Sequence, residues 1–245
     1  MSESFGNEVL YNMCKENPCH NDANVVEGKM WLIGRSYAAS PERRQGEKAP
    51  ADIDKVLGNN TDSDFFGAIA KKIAENERNG KSMLDKEIEQ MKIPLKKYRH
   101  DTSEEDLIIL SKTIELVKLL NEMVKTASNQ YNEEKYNHIG YTLSEKERKA
   151  QNNISFASKY LHFHLPHIVF IMDSYSISNA KDSEQYPEIE SQHRRLSKGF
   201  TEKLTEPYKG YAEHILRCYL IANKLKNEKK DFSPRAVDNV LMLRK

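Results

Sequence analysis

Apolar residues recur at three- and four-residue spacing along most of this chain, and this period most constrains how the chain can fold. The spacing matches one face of an α-helix, whereas a half-buried strand needs strict alternation of apolar and polar residues. The clearest series consists of Leu107, Leu110, Ile114, Val117, Leu120 and Val124. Only the run Ile168–Met172 resembles a strand, and no second run is present to pair with it. We therefore predict an all-α fold.

Glycine, proline and asparagine interrupt the helical pattern and give the expected bounds of the helices. We predict helices over 24–39, 61–80, a short part of 81–100 broken at Pro94, 103 to at least 124, 144–164, 173–182, 187–203, 207–226 and from Ser233 onward. Residues 42–60 and 129–143 are expected to be loops. The resulting architecture is a non-bundle, orthogonal helical domain of about nine or ten helices with at most one very short strand. We expect residues 1–245 to form a single domain, with two helical lobes sharing a core as the alternative.

Composition limits the classes of protein to which the chain can belong. Charged residues make up 31% and hydrophobic residues 38%, which suits a globular protein rich in amphipathic helices rather than a disordered chain. No apolar run approaches the roughly 20 residues of a membrane-spanning helix. The three cysteines are an odd number in a chain without a secretory signal, so we expect reduced thiols and a cytoplasmic location. We predict no membrane partner and no cofactor.

The net charge of +1 at pH 7 gives the molecule no strong long-range attraction for nucleic acid. DNA binding would therefore need a local basic patch. The best candidate is the segment 31–44, in which Arg35, Arg43 and Arg44 could bind phosphates while Tyr37 stacks on a base. The alternative is an amphipathic helix whose basic end complements the helix dipole.

Two groups of residues have side chains that bind metals but lack the spacing of a metal site. A zinc site needs about four ligands, usually as two short-spaced pairs, and a second pair is missing after Cys14, Cys19 and His20. The other group scatters around a helix rather than sharing a face, and consists of His162, His164 and His167. We predict no metal site and expect these residues to have structural roles.

The segment Ile154–Ala180 combines titratable residues with the most apolar run of an otherwise polar chain. On a helix, Ser155, Lys159 and His162 lie near one face, because residues three and four apart are neighbours. Asp173 follows the apolar run at the expected start of the next helix, where the helix dipole favours an anion. We predict Lys159, Asp173 and His162 as candidate catalytic residues.

The chemistry of Lys159 depends on its surroundings. Burial against Phe156 and Phe163 would lower the pKa of its amine and make it a usable nucleophile, whereas a close carboxylate such as Asp173 would oppose that shift. The structural alternative is that Lys159 extends along the surface and that Asp173 only caps a helix. The sequence leaves both interpretations open.

Part of this segment resembles a known family. The stretch SFASKYLHF at residues 155–163, followed by a proline and by IMDS at residues 171–174, is similar to uncharacterised bacterial proteins with the 8-oxoguanine DNA glycosylase fold of the helix-hairpin-helix superfamily. In that superfamily a lysine opens a helix, an apolar stretch follows, and an aspartate caps the next helix. The resemblance implies that Lys159 is the nucleophilic lysine and Asp173 the catalytic aspartate. Gln151–Ile154 stands where the family has a glycine-containing hairpin that contacts DNA phosphates.

Two hypotheses from different classes follow. In the first, the protein is a DNA glycosylase-like enzyme: a flipped base enters a pocket, Lys159 attacks the anomeric carbon of the sugar, and Asp173 stabilises the developing positive charge. The residues expected to contact the nucleic acid are Arg35, Tyr37, Arg43, Arg44 and Ser155. In the second hypothesis, the protein is a non-catalytic α-helical binding or structural protein, and the segment 154–180 supplies only core residues and a helix cap.

Overall fold

The computed structural model describes residues 5–36, 62–75, 82–95, 97–144, 152–181 and 187–242. These ranges contain ten helices and no strand, which confirms the all-α prediction. In chain order the helices are α1 (Phe5–Glu16), α2 (Ala23–Ser36), α3 (Asp62–Glu75), α4 (Met83–Leu95), α5 (Glu104–Asn137), α6 (Ile154–His164), α7 (Ser174–Ala180), α8 (Pro187–Thr201), α9 (Tyr208–Asn227) and α10 (Pro234–Met242). None of the described helices is both long enough and apolar enough to cross a bilayer.

The helices differ from the sequence prediction at one missed helix and at the start of another. Helix α1 was not predicted. The helix expected over 144–164 begins at Ile154, because residues 152 and 153 are not helical. The carbonyl of Asn153 accepts the first helical hydrogen bond, from the backbone amide of Ala157 at 2.8 Å. The loop predicted over 42–60 lies outside the described residues.

The loop predicted over 129–143 is wrong for its first half, because α5 continues to Asn137. Asparagine and tyrosine suggested a loop, but the row formed by Ser128, Tyr131 and Asn132 continues the packed face of the helix. Tyr131 lies edge-on to Phe65 with 5.4 Å between the ring centroids. Gly140 follows with a φ of +73°, a left-handed conformation that glycine adopts without a steric cost. Tertiary packing therefore outweighs the weak helix propensity of these residues.

The chain divides into two compact units, each formed by two stretches of sequence. Unit 1 comprises Met1–Lys86 and Leu119–Tyr160, and unit 2 comprises Glu87–Lys118 and Leu161–Lys245. In unit 1, α2 packs against α1 and α3. The centre of this packing consists of fully buried side chains from α2 and α3, namely Val26, Met30, Ile33, Phe66, Ile69 and Ile73.

Unit 2 is centred on α9, which packs against α8, α7 and α10. The apolar run that resembles a strand, Ile168–Met172, belongs to a largely buried linker, defined as residues 165–172, which pairs with no strand in the described part of the chain. Three side chains donate hydrogen bonds to consecutive carbonyls of the linker. His162 Nδ1 donates to Val169 O at 2.8 Å, Tyr211 Oη to Phe170 O at 3.3 Å, and His214 Nε2 to Ile171 O at 3.0 Å. The linker therefore satisfies its buried backbone without a sheet.

Candidate functional site

Lys159, the predicted nucleophile, is buried in unit 1. Only 4% of the residue is exposed, and its neighbours along α6 include the buried Phe156 and Tyr160. The structural alternative, in which Lys159 extends along the surface, is therefore wrong. Lysine is almost never buried to this extent unless it is paired, because removing the ammonium group from water is costly.

The start of α6 is held by side-chain contacts within unit 1. The backbone amide of Asn153 donates to Asn121 Oδ1 at 2.6 Å. An internal side chain therefore accepts this amide. Ser155 is half-buried, and its carbonyl accepts a hydrogen bond from Ser158 Oγ at 3.1 Å.

His162, a predicted catalytic residue, is fully buried in unit 2. Burial lowers the pKa of its imidazole to about 4, although the hydrogen bond to Val169 opposes this shift. At neutral pH the ring is therefore uncharged and uses Nδ1–H as a donor to the linker. This contact gives His162 a role in positioning the chain that leads to Asp173.

Asp173 caps α7, as the sequence predicts. Its Oδ1 accepts a hydrogen bond from the backbone amide of Ser176 at 2.8 Å, and Ser176 Oγ accepts one from the backbone amide of Asp173 at 3.1 Å. This reciprocal arrangement is a capping box. The cap keeps a half-buried carboxylate at a helix N-terminus, directly after the linker that His162 and His214 hold.

The residues predicted to contact nucleic acid are only partly described. Arg35 lies exposed in the last turn of α2, with its guanidinium carbon 5.1 Å from the centroid of the Trp31 ring. This cation–π contact and the position at a helix C-terminus agree with a basic helix end as well as with a phosphate contact. Tyr37, Arg43 and Arg44 lie outside the described residues.

A buried polar cluster in unit 1 was not predicted from the sequence. His20 donates its backbone amide to Asp85 Oδ2 at 3.0 Å, and its Nδ1 lies 2.6 Å from Asp85 Oδ1. Burial would raise the pKa of the Asp85 carboxyl, but the hydrogen bonds from His20 and Ser82 lower it to about 2. Nearby, the fully buried Lys29 donates from Nζ to Asn17 O at 2.5 Å.

A local signal pointed to part of this cluster. Ser82 followed three residues later by Asp85 is a helix-start pattern, and the backbone amide of Asp85 does donate to Ser82 Oγ at 3.0 Å. Nothing local indicates that Asp85 also binds His20, which is 65 positions away. Within the described ranges, no group of three or more histidine, cysteine, aspartate or glutamate side chains is arranged to hold a metal ion.

An apolar cleft in unit 2 lies between the first turns of α5 and the C-terminal half of α8. Its volume of about 720 Å³ falls in the size range of small-molecule pockets. Its apolar lining includes Leu107, Ile108, Leu196, Phe200 and Leu204. Ile108 is 51% exposed, so this is an apolar surface that remains open to solvent.

The fold and these sites define an all-α protein with a buried lysine on α6 and a carboxylate that caps α7. Comparison with family models, curated proteins and solved structures found no match for the chain. The functional conclusion therefore rests on the residues themselves.

Proposed function

We propose that the protein is a DNA-base glycosylase-like enzyme in which Lys159 is the nucleophile. The observation that carries this proposal is the burial of Lys159 in a predominantly apolar helix. An amine attacks carbon in its neutral form, and a buried position keeps bulk water away from the reaction. The resemblance of residues 155–174 to glycosylases supplies the reaction class.

In the proposed reaction, a nucleotide leaves the stack and its sugar approaches the Lys159 amine. The nitrogen lone pair forms a bond to C1′ while the glycosidic bond breaks, and the base leaves with the electron pair of the glycosidic bond. The ammonium group formed in this way gives one proton to the departing base. Its second proton passes to O4′ as the C1′–O4′ bond breaks and the ring opens, which leaves a Schiff base between the lysine nitrogen and C1′. Asp173 has the role that the resemblance assigns to it, stabilisation of the positive charge that develops on the sugar.

DNA would be bound through phosphate and base contacts around this centre. The candidates remain Arg35, Tyr37, Arg43, Arg44 and Ser155. Arginine forks suit phosphate oxygens, and an aromatic ring can support an unstacked base.

Borohydride trapping tests the proposal directly, because borohydride reduces a Schiff base to a stable amine. The substrates are duplex and single-stranded oligonucleotides that carry 8-oxoguanine, uracil or an abasic site. We expect the native protein to form a covalent adduct on at least one of them. Lys159→Met keeps an unbranched side chain of similar length without the amine and should lose the adduct.

Two controls make the result specific. Abasic sugars react with exposed amines, so Lys118→Met, which removes an exposed lysine of α5, should leave the adduct unchanged. Circular dichroism and thermal melting must show that Lys159→Met keeps its helical structure. An adduct that persists in folded Lys159→Met, or the absence of any adduct on all substrates, would contradict the nucleophile role.

The apolar cleft between α5 and α8 favours a second candidate function, that of a non-catalytic binding protein. Its open apolar lining would suit the apolar body of a small amphiphilic molecule, and Lys112, Arg195 and Lys203 border it. Titration with 1-anilinonaphthalene-8-sulfonate tests this idea. We expect Phe200→Ser to weaken dye binding about fivefold through lost apolar contact, whereas Tyr175→Ser, at an exposed aromatic outside the cleft, should not. Equal binding by both variants would argue against a ligand in this cleft.

A further inference from the structure

A polar cleft in unit 2 shares no lining residue with the apolar cleft and includes neither Lys159 nor Asp173. It lies between α8 and the first half of α9 and has a volume of about 350 Å³. Four cationic side chains line it together with two carboxylates, and these six residues are Arg194, Lys198, Lys209, Arg217, Glu190 and Glu213. The cations exceed the carboxylates by two, although the whole protein carries a net charge of only +1.

Arg217 is the most buried cation of this cleft. Its side chain is 11% exposed, and its Nε and Nη1 atoms are buried without a hydrogen-bond acceptor among the described residues. The nearest carboxylate oxygen, Glu190 Oε2, lies 3.6 Å from Nε, which is an ion-pair distance but too long for a hydrogen bond. Buried donors without acceptors are costly, so the guanidinium is suited to an acceptor that enters the cleft.

Glu190 cannot neutralise the cleft alone. It also interacts with Arg194, whose Nε lies 3.3 Å from Glu190 Oε1. Burial would raise the pKa of Glu190, but the hydrogen bond from Arg194 and the charge of Arg217 lower it, so one carboxylate is shared by two guanidinium groups. Lys198 and Lys209 are exposed at the cleft, and neither forms an ion pair within the described part of the chain.

The remaining polar groups of the cleft are compatible with an anion. Burial and the charge of Arg217 lower the pKa of His193, so its ring is neutral at pH 7, and its Nε2 donates to Glu213 O at 3.2 Å. Ser197 also lines the cleft and provides a hydroxyl donor. Guanidinium, ammonium and hydroxyl donors around one concave surface match the oxygens of a phosphate group.

We propose that this cleft binds a phosphate dianion, with Arg217 as the anchoring guanidinium and with Lys198 and Lys209 as flexible cations at the rim. The two excess positive charges match the charge of the ligand. The volume exceeds that of a phosphate ion, which leaves room for the first part of an attached ester. This inference does not rest on the reaction proposed for Lys159, which belongs to unit 1.

Isothermal titration calorimetry with inorganic phosphate on the full chain tests the proposal, at low salt and against sodium chloride of equal ionic strength. We expect binding by the native protein that chloride does not reproduce. Arg217→Met should weaken phosphate binding about tenfold or more, because it removes a charge-assisted contact. Lys198→Ala, at an exposed position, should weaken it about threefold, and it tests the site even if Arg217→Met fails to fold.

Arg195→Gln is the matched control, because Arg195 is an exposed arginine of the same helix that lines the apolar cleft instead. Its phosphate affinity should equal that of the native protein. A parallel titration with adenosine 5′-monophosphate identifies the source of the phosphate: tighter binding than inorganic phosphate indicates a phosphate ester, and equal binding indicates the free ion. The proposal is overturned if phosphate binds no better than chloride, or if Lys198→Ala and folded Arg217→Met both bind like the native protein.

Discussion

At the residue scale, the buried histidines of unit 2 act as neutral hydrogen-bond donors. His162 and His214 both donate to carbonyls of the linker, and burial lowers the pKa of each imidazole to about 4. A charged imidazole in these positions would lose its hydration. The hydrogen bonds to the linker, and for His214 the charge of Asp173, are too weak to restore the ordinary pKa. The two rings therefore hold the backbone next to Asp173 most firmly when they are uncharged.

This arrangement predicts that the protein loses stability in mild acid. The unfolded histidines bind protons near pH 6.5, whereas the folded ones bind them only near pH 4. The stabilisation is therefore complete above pH 6.5 and is lost as the pH falls toward 4. Each such histidine lowers the free energy of unfolding by up to about 1.4 kcal/mol per pH unit within that window. Urea denaturation at several pH values measures this slope.

His162→Asn provides the comparison, because its amide nitrogen can replace Nδ1 as a donor to Val169 O but does not titrate. We expect this variant to be less stable at pH 7, since asparagine leaves part of the ring volume empty. Its stability should also depend less steeply on pH between 6.5 and 4 than that of the native protein. An unchanged slope would show that His162 is not the neutral, buried donor described here.

At the element scale, the linker and α7 together position the carboxylate of Asp173. The linker is largely buried, yet it needs no neighbouring strand, because side chains from α6 and α9 donate hydrogen bonds to its carbonyls. The capping box at Asp173 then starts α7. Asn179 of α7 donates from Nδ2 to Leu241 O of α10 at 2.5 Å, which fixes the other end of this short helix.

Substitutions of Asp173 should separate its capping role from its proposed catalytic role. Asparagine caps a helix about as well as aspartate, so Asp173→Asn should change the free energy of unfolding by less than about 0.5 kcal/mol. Asp173→Ala should cost about 1 kcal/mol because the amide of Ser176 loses its acceptor. Thermal and urea denaturation measure both values, with Ser174→Ala at the neighbouring exposed position as the control.

The trapping reaction distinguishes the two roles of Asp173, because Asp173→Asn keeps the cap but removes the negative charge. Under the proposed function, Asp173→Asn keeps its stability but forms the borohydride-trapped adduct at least about tenfold more slowly, because the neutral amide does not stabilise positive charge. Native-like adduct formation by Asp173→Asn would limit Asp173 to its structural role.

The elements were more predictable from sequence than the site. Periodicity located most helices because the apolar rows of α5 and α9 repeat over many turns. It missed the continuation of α5 past residue 129, where Tyr131 packs against Phe65 from another part of the chain. The cap at Asp173 was predictable because its signal is local. The burial of Lys159 and the contact between His20 and Asp85 depend on residues distant in sequence, which no local pattern encodes.

At the scale of the whole molecule, positive and negative charges nearly cancel, whereas individual surfaces carry a local excess of one sign. The net charge of +1 gives little long-range attraction for an anionic partner. Within unit 2, however, α8 contributes one row of residues to the apolar cleft and another row to the polar cleft with its excess of cations. An anionic ligand would therefore be recognised at a specific concave surface, and its binding should weaken with added salt.

The central claim is that the buried amine of Lys159 reacts with a nucleotide sugar, and mapping the trapped adduct tests it most directly. Trypsin does not cleave after a modified lysine, so an adduct at Lys159 leaves residues 150–181 as one peptide that carries the sugar remnant. Mass spectrometry of the digested adduct should find the modification in that peptide, with fragment ions that place it on Lys159. Modification at another lysine, or spread over several exposed lysines, would contradict the account.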